Sequence, residues 1–200
     1  MEKKDALNTL NEIKDLMERS SKFKAVSGWS IIIIGILASL VSAVIYYFFN
    51  EMVLDTPQKL KLTLVAAVCL FVVSALTVLL MSRRKALKNG LRFKWDSVFK
   101  RLMLNFIVPL IAGGVLCVAL IMHGHYGLTS SVMLIFYGMS LLCTQQYTYS
   151  SLRFLGYAEL VLGLIDCFVV DYALVLWFVG FGILHIVYGI VFILRHKKEM

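Results

Sequence analysis

Charge is scarce in this sequence. Only 16% of its 200 residues are Asp, Glu, Lys or Arg, 60% are hydrophobic, and mean hydropathy is +0.83. A soluble domain carries about 25% charge, so that class is excluded. Paired cysteines are missing too. Cys69, Cys117, Cys143 and Cys167 fall within or at the ends of apolar segments without Cys-x-x-Cys spacing, which excludes a disulfide framework or zinc site and leaves small buried thiols. Histidine is too sparse for bis-histidine haem: only His185 is deep, whereas His123 and His125 fall in an outer turn and His196 at an inner end. No GxSxG, HExxH, Ser/His/Asp or glycine-rich phosphate loop is present, so neither catalysis nor a cofactor is indicated. A cleavable leader is not expected either. The first 26 residues are polar, and the first apolar block is too long and lacks a small-residue cleavage site.

What the chain does contain is apolar blocks of about 20 residues, the length that crosses a hydrocarbon core of roughly 30 Å. They predict an all-α polytopic membrane bundle of six transmembrane helices, at about 28–49, 61–82, 103–122, 129–145, 154–170 and 173–194. Residues 27–200 form this transmembrane domain. Residues 1–26 precede it, with Ala6, Leu10, Ile13 and Met17 at spacings of three and four and Leu7 and Leu16 widening the stripe. That is an amphipathic helix. Its six basic and five acidic residues nearly balance, so it is read either as a helix on the membrane surface or as a docking helix for a cytoplasmic protein partner.

Small residues mark helix faces that allow close approach: Gly35, Ser39 and Ser42 in the first span, Ala67 and Ser74 in the second. Trp29 and the Tyr46-Tyr47 pair mark interfacial belts. Residues 83–101 hold eight Lys and Arg against Asp96. Within them Leu91, Trp95, Val98 and Leu102 suggest an interfacial helix. The net charge of +8 is concentrated beside the spans, so it points to the lipid bilayer and not to nucleic acid. The third span includes Pro109, which removes a backbone donor, and Ser150 or Ser151 is expected to cap the fifth helix.

Orientation follows from charge. With the N-terminus inside, the inner side holds six Lys and Arg in 1–26, eight in 83–101, Arg153, Arg195, Lys197 and Lys198; only Lys59 and Lys61 lie outside. Both termini are therefore expected to be cytoplasmic.

The candidate site lies in the last two spans. Arg153 opens the fifth, and Glu159, Asp166 and His185 fall at membrane depth, where Asp at a helix centre costs roughly 2.5–3.5 kcal/mol on insertion scales. Gly156, Glu159, Gly163 and Asp166 share one helix face, and Gly182, His185 and Gly189 form a similar face on the sixth, so the two glycine faces are expected to meet. A tight turn at Asp171-Tyr172 puts Glu159 level with Leu184 and His185, Gly163 with Gly180, and Asp166 with Trp177. The carboxylates are then about 10 Å apart along the axis. Three roles stay open: a polar clasp between helices, proton or solute handling, and ligation of a divalent metal.

The segments LNEIKDLMERSSKF, YTYSSLRFLGYAELVLGLI and GFGILHIVYGIVFIL resemble uncharacterised small six-span inner-membrane proteins of Bacteroidota. The resemblance picks out Glu18, Arg19, Ser20, Tyr137, Gly138, Arg153, Gly156, Tyr157, Glu159, Gly163, Gly182, His185, Tyr188 and Gly189. It implies residence in the bacterial inner membrane. Such proteins occur beside small winged-helix regulators, which hints at membrane signalling. The expected function is a non-enzymatic sensing or scaffolding module with a cytoplasmic docking helix. The alternative is a small proton-coupled transporter or channel subunit using Glu159, Asp166 and His185.

Overall fold

The computed structural model describes residues 27–51, 56–88 and 97–196. The expected helix over 1–26, and the Leu91 and Trp95 part of the expected interfacial helix, lie outside them. The described residues are helical and include no strand. They form α1 (Gly28–Glu51), α2 (Thr56–Lys88), α3 (Ser97–Met122), α4 (Leu128–Thr144) and α5 (Leu152–Asp166). A 3₁₀ turn at Val170–Tyr172 leads into α6, which runs over 173–196 as an α-helical Ala173–Trp177, a π-helical Phe178–Leu184 and an α-helical His185–His196.

Among the described residues, four stretches are long and apolar enough to cross a membrane: Gly28–Asn50, Lys61–Arg84, Val98–Met122 and Val170–Arg195. The other two helices are short. At 1.5 Å per residue, the 17 residues of α4 and 15 of α5 reach about 25 and 22 Å. Polarity is distributed as a membrane protein requires. Phe71, Leu104, Val115 and Leu164 are exposed, while Ser131, Ser140, Glu159, Asp166 and His185 are buried. In water that arrangement would leave apolar surface unpaid; in lipid it hides the groups lipid cannot hydrogen-bond.

Packing follows a chain of neighbours. α2 packs chiefly on α1, α1 on α6, α6 on α1, α5 and α4, α5 most extensively on α4, and α4 on α3. The small face of α1 behaves as expected: Gly35 faces the Gly182 carbonyl, and Ser39 Oγ lies where a Gly182 side chain would begin. The glycine faces of α5 and α6, however, do not meet each other. Gly163 lies against Leu134 and Ile135 of α4, and Gly189 against Gly28 and Ile32 of α1. A Cβ at Gly138 would lie 2.7 Å from the Gly156 carbonyl, and one at Gly156 would lie 3.0 Å from the Gly138 carbonyl. This reciprocal backbone contact is what Gly156 serves on α5.

The turns explain the remaining boundaries. α3 ends in a Schellman arrangement: His125 N–H donates to the Leu120 carbonyl at 2.9 Å, and Gly124 N–H to that of Ile121 at 3.1 Å. Gly124 carries the positive φ, 78°, that this closure requires. The fifth helix was expected to reach residue 170 and turn at Asp171-Tyr172; instead it stops at Asp166. Val169 leaves the helical region at φ −127°, ψ 52°. Two successive β-branched residues, Val169 and Val170, favour that departure. Ser151 does occupy the N-cap position of α5, but its side chain makes no capping bond; it bonds instead to Tyr188 Oη at 3.0 Å.

A buried Glu-His-Tyr site between α4, α5 and α6

The structure separates the four expected site residues into three places. Arg153 is exposed on the first turn of α5, its guanidinium 5.0 Å from the Phe154 ring centroid, and does not join the site. Asp166 is fully buried but turns to α4. Its Oδ2 accepts hydrogen bonds from Ser131 Oγ at 3.0 Å and from Ser130 Oγ, while Oδ1 has no hydrogen-bond partner. Both serines belong to the first turn of α4, whose partial positive charge favours a carboxylate. This offsets the unfavourable place of Asp166 at the C-terminal end of its own helix.

Glu159 and His185 do meet. Glu159 Oε1 lies 3.3 Å from His185 Nδ1, with exposures of 0% and 1% for the two residues. The longer turn does not prevent this, because helical side chains lean toward their own N-termini. α5 and α6 run antiparallel, so the two side chains lean toward each other. Gly180 provides the space: a Cβ there would lie 2.7 Å from Glu159 Oε2 and 2.5 Å from Leu134 Cδ2.

The contact is close without being a hydrogen bond. His185 Nδ1 is 3.1 Å from the Gly180 carbonyl, five residues back in the π-helical segment. A carbonyl only accepts, which assigns the proton to Nδ1 and directs it at Gly180. Nε2 then accepts from Tyr137 Oη at 2.8 Å. Both oxygens of Glu159 are left without hydrogen-bond partners, so the 3.3 Å approach is electrostatic. Above the imidazole, Phe181 stacks at 6.0 Å and 24°, and Trp177 lies 5.0 Å beyond Phe181.

The pair is electrically neutral in two ways, as carboxylic acid beside imidazole or as carboxylate beside imidazolium. A clasp would have its acceptors satisfied, whereas Glu159 is buried with two free acceptors, a costly arrangement in a low-dielectric site. For a metal, only two of the three expected ligands come together. Among the described residues no group of three His, Cys, Asp or Glu converges.

Spacing arguments could not have found Tyr137, Ser130, Ser131 or the Gly180 carbonyl, because α4 is not adjacent in sequence to α6 and π-helical turns leave no periodic signal. Tyr137 was picked out only by the family resemblance.

Two clefts flank the site. One, of about 270 Å³, opens among α1, α2, α4 and the start of α6, and its lining includes Lys59, Thr63, Ser130, Met133 and Trp177. The other, of about 140 Å³, lies at the opposite end between α5 and α6, with Ser151, Tyr188, Phe192 and Arg195 in its wall. Neither is lined by Glu159 or His185. No family model, curated protein or solved structure matches the chain, so its chemistry is read from this geometry.

Proposed function

We propose that this chain is a six-span protein of the bacterial inner membrane, with both termini cytoplasmic. In this reading it is a non-enzymatic sensing module whose helix over 1–26 docks a cytoplasmic partner, and the stimulus is the protonation of the Glu159–His185 pair. The observation that carries the reading is the state of Glu159, which is fully buried, 3.3 Å from an imidazole nitrogen, and without a hydrogen bond to either oxygen. Such a group changes its interactions with every proton gained or lost. The rival reading, a proton-coupled transporter or channel subunit, is favoured by Ser130, which both lines the larger cleft and bonds to Asp166.

Trp177 supplies the test, because it packs on Phe181 and Phe181 on His185. In full-length protein carrying Trp29→Phe and Trp95→Phe, Trp177 fluorescence is expected to show a one-proton transition as pH is varied over the range in which the protein stays folded. Glu159→Gln should abolish the transition while leaving the helical circular dichroism unchanged. A flat wild-type titration overturns the sensing reading. Uptake of protons into vesicles that depends on Asp166 favours the transporter.

A further inference from the structure

We propose, resting on the proton-sensing reading above, that the Glu159–His185 pair exchanges its proton with only one end of the bundle, the end bearing Arg153 and Arg195, and that Tyr188 and Ser151 form the route. The route starts at the smaller cleft. Its 140 Å³ is room for about four waters at roughly 30 Å³ each. Ser151 and Tyr188 both line it, and their hydroxyls are 3.0 Å apart. Ser151 already has helical φ −66° and ψ −21°, not the extended backbone of a capping residue, so its hydroxyl is not held by the helix end and bonds to Tyr188. Tyr188 lies three residues after His185, on the same helix face, and packs with Tyr137 against one cluster formed by Leu141, Leu152 and Leu155. Tyr137 is already bonded to His185 Nε2.

The other end is closed by ring layers. Trp177 lines the larger cleft, Phe181 packs beneath it, and His185 lies beneath Phe181. Met133 packs into the same apolar cluster. Among the described residues, the ionisable side chains placed against the pair are His185 itself on Glu159 and Tyr137 from α4 on His185; Tyr188 of α6 packs with Tyr137 on the neighbouring cluster. On its own helix Asp166 is two turns away and Arg153 lies on the first turn, while α1 brings Gly35 and Ser39 to its contact with α6.

The proton steps balance. A hydronium ion in the cleft gives a proton to Ser151 Oγ and becomes water, as Ser151 passes its own proton to Tyr188 Oη. Tyr188 swings from Ser151 toward Tyr137 and hands on its hydroxyl proton, and Tyr137 gives its own to Nε2. His185 then releases the Nδ1 proton to Glu159 Oε1. Each hydroxyl loses one proton and gains one, the imidazole ends neutral with its proton moved from Nδ1 to Nε2, and the carboxylate becomes a carboxylic acid.

The experiment follows the carboxylic C=O stretch by infrared spectroscopy on full-length protein in lipid nanodiscs, with the Glu159 band assigned by its loss in Glu159→Gln. The rate at which that band shifts after transfer to D₂O reports proton exchange. Tyr188→Phe keeps the ring and should slow the shift roughly a hundredfold, as expected for loss of a positioned proton-transferring side chain. Ser151→Ala, a milder change to packing, should slow it in the same direction, and Trp177→Phe should leave it unchanged. Wild-type exchange in both Tyr188→Phe and Ser151→Ala overturns the route, as does acceleration in Trp177→Phe. If no exchangeable Glu159 band exists at any pH at which the protein stays folded, the sensing reading itself fails, and that result is distinct from a failed route.

Discussion

α2 and α5 are opposite solutions to the same solvent problem. α2 is 33 residues long, and within it Leu70 and Ser82 are the buried side chains among the described residues. It packs chiefly on α1, and its exposed surface includes Val68, Phe71, Val72 and Leu76. α5 has 15 residues, six of them buried, including two carboxylates and two glycines. A long helix whose backbone is satisfied internally and whose side chains are apolar needs no neighbours to stay in lipid. A short helix carrying Glu159 and Asp166 needs α4 and α6 on its buried face. Helices that announce themselves by hydropathy are therefore the least informative about function here, and the chemistry lies in the shortest ones.

The sharpest way to break the comparison is to thicken a glycine in each setting. Gly138→Leu would drive a side chain into the Gly156 carbonyl and the Leu160 backbone, whereas Gly114 has nothing within 4 Å of an added Cβ. Overpacking of this kind costs about 1–3 kcal/mol and sometimes more. Gly138→Leu is expected at or beyond the upper end of that range, and Gly114→Leu within about 0.5 kcal/mol of wild type. Thermal denaturation in detergent checks both, and equal losses would deny that the α4–α5 contact is the tight one.

A smaller effect separates the two members of the buried pair. His185→Leu strands the Gly180 carbonyl and the Tyr137 hydroxyl, which should cost about 1–3 kcal/mol. Glu159→Met removes a buried carboxyl that has no hydrogen bond and leaves beside it a neutral imidazole whose own two bonds are kept, so it should be neutral or stabilising. Chemical denaturation of the two variants is the measurement. A larger loss for Glu159→Met than for His185→Leu would restore the clasp interpretation.

The smallest effect is expected at Asp166. Asp166→Asn keeps an acceptor for Ser130 and Ser131 and loses only charge near the first turn of α4, a contribution of about 0.3–1 kcal/mol. Asp166→Leu strands two hydroxyls and should lose more. If Asn and Leu behave alike in the same denaturation assay, the serines are not holding the carboxylate.

Much of this was legible in the sequence for a physical reason. Burial of Glu159 beside His185 follows from helical periodicity and from the way antiparallel side chains lean, both of which survive an error of several residues in the turn. The partners of the α5 glycines were not legible: Gly156 and Gly163 advertise close approach but carry no mark of which neighbour comes close. The end of α5 at Asp166 was hidden by the continuous apolar run through Val169 and Val170. Arg153 was placed by its helix and not by its neighbours, and it faces outward. Ser151 signalled a cap, but its backbone is already helical there, so its hydroxyl does not reach the orphan N–H groups and bonds to Tyr188 instead.

The π-helical Phe178–Leu184 also sets the reading frame of α6. Along an uninterrupted α-helix each residue advances about 100°, so His185, eight positions after Trp177, would point about 80° away from it. Bonds from i to i+5 hold one more residue per turn, and absorbing one residue returns His185 to within about 20° of Trp177, the drift of a heptad. The ring column from Trp177 through Phe181 to His185 depends on that absorbed residue. In terms of insertions and deletions the two directions are unequal. A chain lacking one residue of 178–184 can close into plain α-helix with the column in phase, while a chain with one more must find a second wide turn or lose it.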